Sequence, residues 1–368
     1  MISSAPILSP SSRSTERRKS TLIRDISYHV NVLRNGAEFA RLHWRSGDNP
    51  NIMVNKDAEI KGSFSGRFYV PDTVDLLSDE LQPVMRLNGV ETPLGVFQTA
   101  TPSRATDRYN TVVQIEAYDR CWRLQNQRTE NILHIAAGTS YITKIRQMLT
   151  EAGIGLVIAA PSTATLQTDR EDWEIGTTYL SIINQLLAEI NYSDVWFDGS
   201  GIAHLEPYEQ PSADRIDHAY SYTDVVHAQP IGPDHNDETD IFNAPNVFVR
   251  ICSNPDLDAD MVATAVNESP TSSTSTFKRK MRIVDVQRVD NIASQDELQA
   301  AADRARNESM LAARTITFQT LNEAGHGVGD IISIDDPELA GIYEETGWSL
   351  TMAAGQMMQH TAKRTVIA

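Results

Sequence analysis

The sequence predicts an α+β protein that is mainly β, and three observations carry this prediction. Residues 60–70 place apolar and glycine residues on one parity and polar residues on the other, the pattern of a half-buried strand. Asn88-Gly89 is a strong signal for a two-residue hairpin turn. Residues 138–151 and 176–189 share Gly, Thr, Tyr, Ile, Gln, Leu and Glu at matching places. These paired segments predict two similar helices between regions of strands.

The first β-domain is predicted at residues 21–120. Short alternating segments separated by turn signals are typical of a barrel or a sandwich. Asn88-Gly89 favours a type I′ turn because both central residues need positive φ, and Pro93 makes the returning strand an edge or irregular strand.

Residues 1–20 are rich in Ser, Pro and basic side chains. They predict a flexible arm, with ordering on a neighbouring subunit as the alternative.

Residues 121–207 are predicted to form an α+β insertion with the two repeated helices. Thr139 and Thr177 can cap the helix starts. In the first copy Tyr141, Ile145 and Leu149 form one apolar stripe. We therefore interpret Tyr141, and Tyr179 in the second copy, as core residues and not as a stacking pair for a base or sugar. Two copies are too few for a solenoid.

A strand, a tight turn at Asp198-Gly199 and a returning strand complete this insertion. Residues 208–245, rich in Pro, Asp and His, are predicted to be a connector.

The second β-domain is predicted at residues 246–368, with an inserted helix at 295–313. Ser294 and Glu297 form a capping box before this helix. Strand patterns occur at residues 246–251 and 282–286, and the Ser/Thr-rich loop at 269–276 is expected to be mobile.

Composition excludes several function classes. The formal charge is −17, from 49 acidic and 32 basic residues, which argues against a nucleic-acid-binding protein that grips phosphates through Lys and Arg. No apolar stretch approaches the roughly 20 residues of a membrane-spanning helix, so we expect no membrane insertion. The two cysteines, Cys121 and Cys252, lie far apart and form no metal or disulfide motif.

No catalytic motif is present, so we predict that the protein is not an enzyme. The histidines are scattered, and the spacing of His218, His227 and His235 matches no compact ligand set. Residues 256–260 begin like a calcium loop, but Met261 stands where Gly is needed and Asn267 where a bidentate Glu is needed. Adjacent carboxylates at residues 171–172 are usually only solvated. We therefore single out no catalytic, cofactor-binding or metal-ligating residue and predict no cofactor.

The order of parts resembles the tail hub proteins of tailed bacteriophages and related contractile particles. The resemblance covers roughly residues 21–368 and rests on this layout and on four short strings. These are Ile115-Glu116-Ala117-Tyr118-Asp119-Arg120, Gly138-Thr139-Ser140-Tyr141, Gly329-Asp330 and Met357-Met358-Gln359-His360.

The resemblance implies two tube-like β-barrels decorated by α/β insertions, at residues 21–120 and about 216–368. It implies a structural virion component at the tail tip or baseplate, assembled in the cytoplasm of the host bacterium. Copies would form a homotrimer whose barrels make a pseudo-sixfold ring that continues the tail tube.

The expected partners are the distal tail protein, the tape measure and other tail-tip or baseplate proteins, with DNA passing only in transit. Many relatives carry a C-terminal peptidase or glycan-cleaving region, and this sequence ends before one. Acidic residues would then line the lumen, where like charge keeps DNA from adhering. Exposed strand edges of the barrels would also need neighbouring subunits.

Two alternatives stay open at this point. One is a carbohydrate-binding or receptor-binding tail module, which would also be rich in β-strands. The other is a cell-wall hydrolase with a cleft in which carboxylates meet.

Overall fold

The computed structural model describes residues 24–107, 110–222, 229–238, 244–252, 260–289, 292–311 and 314–364. The predicted arm at residues 1–20 lies outside these ranges. The predicted fold class is confirmed, because most elements are strands of one large sheet and the helices lie in two insertions. Among the described helices, none is both long and apolar enough to cross a bilayer.

The first barrel contains eight strands. They are β1 (Ile26–Arg34), β2 (Ala37–Trp44), β3 (Asn51–Asn55), β4 (Gly62–Tyr69), β5 (Glu80–Leu87), β6 (Val90–Pro93), β7 (Phe97–Asp107) and β8 (Asn110–Tyr118). Six of them pair antiparallel in the order β1-β2-β4-β8-β7-β5, and β5 returns to β1. The pairing therefore forms a closed circuit. Phe64 and Phe68 on β4 are buried inside it, as the alternation predicts.

The Asn88-Gly89 hairpin is confirmed. Asn88 has φ 50° and Gly89 has φ 86°, so both central residues are left-handed, as a type I′ turn requires. The returning strand β6 is four residues long, contains Pro93 and pairs only with β5 in the sheet. It is the predicted edge strand.

The first insertion contains three helices and five short strands. They are α1 (Arg120–Asn126), β9 (Leu133–Ile135), α2 (Tyr141–Glu151), β10 (Val157–Ala159), β11 (Arg170–Trp173), α3 (Tyr179–Glu189), β12 (Trp196–Phe197) and β13 (Ala203–Leu205). β9 pairs with β11, and β10, β13 and β12 form a second small sheet. One continuous core fills the insertion.

The two repeated helices are joined by reciprocal contacts. Tyr141 of α2 donates its hydroxyl hydrogen bond to Glu189 at the end of α3 over 2.9 Å. Tyr179 of α3 donates to Glu151 at the end of α2 over 3.2 Å. Each copy of the repeat therefore satisfies the tyrosine of the other. Tyr141 is buried, so its predicted place in the core is confirmed.

The predicted helix caps are wrong by one residue. Ser140 and Thr178 are the N-caps, and their side-chain oxygens accept from the backbone N–H groups of Thr143 and Ser181. Thr177 instead donates its hydroxyl to the carbonyl of Glu174. An N-cap oxygen must lie within reach of the N–H three residues ahead, and only the second hydroxyl of each pair does.

The turn between β12 and β13 is longer than predicted. The Asp198 side chain accepts from the backbone N–H groups of Ser200 and Ile202. The left-handed residue is Gly201, at φ 76°, and not Gly199. The Asp198 carboxylate therefore closes a connection of five residues, 198–202, in place of a two-residue turn.

The second barrel contains β14 (His218–Ser221), β15 (Gln229–Glu238), β19 (Thr315–Leu321), β20 (Ile331–Asp335), β21 (Gly341–Thr351) and β22 (Met357–Arg364). These six strands also pair in a closed circuit, in the order β21-β20-β14-β15-β19-β22. β14 runs parallel to both neighbours. Residues 208–245, expected as a connector, thus contain two strands of this barrel. Their short, Pro- and His-containing segments lack the alternation that marks a strand.

Between β15 and β19 lies a second insertion. It comprises β16 (Val247–Cys252), β17 (Met261–Val266), α4 (Thr276–Arg279), β18 (Val284–Val289) and α5 (Gln295–Leu311). The structure departs here from the expectation that residues 246–251 and 282–286 are barrel strands, because β17, β16 and β18 form a separate sheet. Helix α5 packs on this sheet, with Leu298 and Ala302 in their shared core. Ser294 accepts from the N–H of Glu297, as the capping box predicts.

The two barrels are joined edge to edge through β3, which pairs with β4 on one side and β21 on the other. Trp348 and Leu350 of β21 are part of the core of the first barrel. The described strands of the two circuits leave no free edge, since both circuits close within the chain and β3 connects them, whereas β6 keeps one unpaired edge.

Candidate functional site

A cavity of about 360 Å³ lies where the first barrel, the first insertion and the second barrel meet. The first barrel contributes Gly62 and Phe97, and the insertion contributes the turn at residues 196–200. The second barrel contributes the segment between β19 and β20, including Glu323, His326 and Asp330. The site is therefore formed by residues that are far apart in the sequence.

A buried polar cluster of the second barrel adjoins this cavity. Glu345 on β21 accepts from Nδ1 of His326 through Oε2 over 2.8 Å, and from Nδ1 of His360 through Oε1. The other ring nitrogen of His360 contacts Thr320 Oγ1 at 2.7 Å. The hydroxyl of Tyr220 lies 3.2 Å from Nε2 of His326. One carboxylate thus holds two histidines in fixed orientations.

His218 adds a second imidazole beside His326. Its ring stacks on the ring of His326 with centroids 3.9 Å apart and planes 12° apart. Its Nε2 lies 3.2 Å from Oδ2 of Asp330, which also accepts from the backbone N–H of Gly327 over 2.7 Å. Each of the two stacked imidazoles therefore has a carboxylate partner.

The protonation states follow from these contacts. Burial by itself favours a neutral Glu345, but the histidines hold the pKa of Glu345 at about 2. Burial lowers the pKa of His360 and outweighs the attraction of Glu345. For His218 burial acts in the same downward direction, yet Asp330 and the other nearby carboxylates raise its pKa. At neutral pH the cluster contains an ionised glutamate and a neutral His360.

Two groups in this region bring metal-ligating atoms together. His218, Glu323 and His326 place one ligand atom each within 4.8 Å of one another, and so do His326, Glu345 and His360. No pattern in the sequence indicates either group. In the sequence His218 lies far from the other histidines of the site. Its partners Glu323 and His326 belong to the segment between β19 and β20, more than a hundred residues further along the chain.

The other residues considered in the sequence do not join this site. His235 contacts the exposed Glu338 over 3.0 Å, and His227 lies outside the described residues. The calcium-like segment 256–260 is described only at its last residue, and the side chains of residues 171–172 are also outside. Asn267 is buried and donates to the hydroxyls of Ser272 and Thr274.

A larger cleft of about 680 Å³ lies between the two insertions and the second barrel. Its walls carry charges of both signs, and several are already paired. Lys56 forms an ion pair with Glu344, and Lys61 with Asp194. Arg304 donates to the carbonyl of Tyr192. These contacts join elements of different domains, and the mixed charge favours no single class of ionic ligand.

Trp196 lies in the wall of both cavities. Its ring stacks on His204 with centroids 4.1 Å apart, and His204 is held by Asp198 and Glu206 at 3.2 and 3.0 Å. One face of the indole is therefore already occupied. A second tryptophan of this insertion, Trp173, is buried in its core.

The comparisons with known proteins concern the fold. No protein-family model matches the chain, and no curated protein matches it. Among solved structures, a tail protein from Neisseria meningitidis MC58 is 14% identical, with a TM-score of 0.65 over 92% of this chain and 97% of that chain. A 43 kDa tail protein of prophage MuSo2 from Shewanella oneidensis is 9% identical, with a TM-score of 0.64 over 92% and 98%.

A third structure, prophage tail protein gp18 from Listeria monocytogenes EGD-e, is 12% identical, with a TM-score of 0.56 over 91% of this chain and 94% of that chain. The chain therefore has the fold of phage-type tail proteins across nearly its whole length. The predicted resemblance is confirmed at the level of the fold.

Proposed function

We propose that this chain, which has the fold of prophage tail proteins, is a structural subunit of a phage-type tail. In this proposal it is the hub at the tail tip or baseplate, and its copies form a trimeric ring that continues the tail tube. The single observation that carries the proposal is the tandem arrangement of two barrels within the tail-protein fold.

The strand pairing supports the ring. Each barrel is a circuit of six strands, and β3 fixes one barrel beside the other. Three chains with two barrels each would place six similar units around one axis, which matches the pseudo-sixfold ring implied by the resemblance. Closed barrels also suit a tube wall, since they leave few free edges that could pair with unrelated chains.

The second insertion supports assembly with other subunits. Helix α5 covers one face of the sheet formed by β17, β16 and β18. On the other face Val262, Val284 and Val286 are each more than half exposed. A contiguous apolar sheet face is typical of a protein interface. We propose that this face is buried in the assembled ring.

The proposal gives the chain a place and partners. The ring would lie in the virion, at the tail tip or baseplate, after assembly in the host cytoplasm. It would contact the distal tail protein, the tape measure and other tail-tip proteins, and DNA would pass through the bore. The role is structural, and the proposal requires no catalytic step by this chain.

The first experiment is the mass of the purified protein in solution, measured by light scattering after gel filtration, with negative-stain images of the same peak. A trimer or larger ring with a central hole is the expected result. A monomer that stays monomeric in the presence of its distal tail protein would contradict the proposal. A glycan array on the same sample tests the receptor-binding alternative, and hydrolysis of purified cell wall tests the enzyme.

A matched pair of variants tests the interface. Val286→Lys places a charge on the open sheet face, where we expect it to shift the protein toward monomer. Val90→Lys places the same charge at an exposed valine of the β5–β6 hairpin and should leave the assembly unchanged. Equal effects of the two substitutions would rule out this face as the interface.

A further inference from the structure

The group formed by His218, Glu323 and His326 differs from the neighbouring group around Glu345. In the Glu345 group both carboxylate oxygens accept from a histidine, and the second nitrogen of His360 contacts Thr320. A metal ion there would have to replace these short contacts inside the barrel. The hydrogen bonds of the Glu345 group are therefore satisfied, and through Glu345 this group holds His326 of the first group in place.

Two members of the first group lie at the cavity wall. Glu323, His326 and Asp330 line the cavity of about 360 Å³. The hydroxyl of the buried Tyr220 lies 3.2 Å from His326 Nε2, and its proton can turn away from the nitrogen while the phenol ring stays in place. Because Glu345 holds Nδ1 of His326, Nε2 is the nitrogen that remains for a metal ion.

The carboxylates behind the two imidazoles match the outer shell of a metal site. Metal-ligating histidines usually donate their other ring N–H to a carboxylate, which fixes the ring and increases its basicity. Glu345 does this for His326, and Asp330 does it for His218. Asp330 is itself held by the N–H of Gly327. Each ring therefore has a carboxylate on the nitrogen that would not bind the ion.

Charge also favours a cation. Within the described part of the chain, Asp330 and Glu345 form ion pairs with histidines and with no lysine or arginine. Glu323 adds a third carboxylate beside them, and it acts on His218 electrostatically. A bound divalent ion would offset this concentration of negative charge.

We propose that His218, Glu323 and His326 bind a divalent transition-metal ion, for which Zn²⁺ is the best match. Two imidazoles with one carboxylate suit Zn²⁺, whereas Ca²⁺ and Mg²⁺ prefer oxygen ligands throughout. Ligand atoms around tetrahedral zinc lie about 3.4 Å apart for bonds of about 2.1 Å. The three ligand atoms already lie within 4.8 Å of one another. The two stacked rings must turn apart for their in-plane lone pairs to meet at one ion.

Three protein ligands leave a fourth position for water or an external ligand. The cavity beside Glu323 and His326 offers the space for it. The ion would also fasten the segment between β19 and β20 to β14, because Glu323 and His326 belong to the former and His218 to the latter. We therefore expect bound metal to stabilise the second barrel.

The test uses the full chain, purified without a polyhistidine tag and stripped of metal with a chelator. Calorimetric titration with Zn²⁺ should show a single ion per chain. His218→Ala and the near-isosteric Glu323→Gln should each weaken binding by more than tenfold. Asp330→Asn, which removes the carboxylate behind His218, should weaken it about 10–100-fold.

His204→Ala is the matched control. His204 is also a partly buried histidine between two carboxylates, but it lies outside the group, so its replacement should leave zinc binding unchanged. Circular dichroism and gel filtration verify the fold of each variant. No zinc uptake by the wild type, or equal affinities of the His204 and Glu323 variants, would overturn the proposal.

X-ray absorption at the zinc edge tests the site without any substitution. The expected spectrum shows scattering from two imidazole rings in the first coordination shell. A shell made of oxygen alone would place the ion elsewhere and contradict the assignment.

Discussion

At the scale of single residues, the clearest difference from expectation is the Ser/Thr-rich loop at residues 269–276. Ser272, Thr274 and Ser275 are buried, because Asn267 donates to the first two and Asn246 donates to the carbonyl of Thr274. In the sequence, a run of small polar side chains predicts a mobile loop. Their partners become visible only when the chain is folded.

Asp119 is a second residue whose properties depend on burial. It caps α1 through Cys121 N–H and also accepts from Gly62 N–H. Burial raises the pKa of Asp119 to about 6 despite these hydrogen bonds. Below the unfolded-state pKa near 4 both states are protonated. Between about pH 4 and 6 the unfolded state loses its proton first, so this residue lowers the free energy of unfolding as pH rises.

We predict that Asp119→Asn removes this contribution. From pH 4 to pH 7 the wild type should lose up to about 3 kcal/mol of unfolding free energy relative to the variant. Urea denaturation at several pH values measures it. Parallel pH profiles of the two proteins would show that the pKa of Asp119 is the same in the folded and unfolded states.

The reciprocal tyrosines give a further prediction. Tyr141→Phe leaves a buried carboxylate oxygen of Glu189 without its hydroxyl donor, and we expect a loss of about 1–2 kcal/mol in unfolding free energy. Tyr179→Phe, whose partner Glu151 is exposed, should cost only a few tenths. Denaturant unfolding of both variants provides the comparison. A larger loss for Tyr179→Phe would contradict the assigned burial.

At the scale of elements, turn and cap residues predict the structure correctly where the interaction involves only neighbouring residues. Asn88-Gly89 forms its hairpin and Ser294 caps its helix as predicted, since both depend on neighbouring residues only. The caps of α2 and α3 lie one residue later than predicted. Two adjacent hydroxyls compete at each start, and only the direction of the incoming chain decides between them.

Docking of the first insertion on the first barrel depends on close backbone approach. The backbone N–H of Gly95 donates to the carbonyl oxygen of Gly199 at 3.0 Å, and a Cβ on Gly199 would lie 2.3 Å from the carbonyl oxygen of Pro93. Arg120 supports the same junction through Glu80 and the carbonyl of Gly201. The insertion is therefore held rigidly against the barrel.

We predict that Gly199→Ala destabilises the protein by about 1–3 kcal/mol, because the backbone of Pro93 must move. Gly155→Ala is the control, since a Cβ there has no neighbour within 4 Å. Thermal unfolding of both variants measures the effect. Similar stabilities would show that the junction can open without cost.

At the scale of the whole molecule, the proposed ring gives a role to the net charge of −17. In the proposed ring, part of it lines the bore and repels passing DNA. We predict that a reconstruction of the assembled ring shows an acidic lumen. A neutral or basic lumen would remove this explanation and leave the charge as a feature of the outer surface.

The sequence by itself determined the α+β, mainly β class, the first barrel region, the repeated helices and the resemblance to tail hub proteins. These follow from alternation, helical periodicity and turn residues, which are properties of neighbouring residues. Only the tertiary structure decided that residues 218–221 and 229–238 are barrel strands, that β16–β18 form a separate sheet, and that His218 meets His326. Each of these depends on pairing between distant segments, and such long-range contacts are selected by the packing of the complete chain.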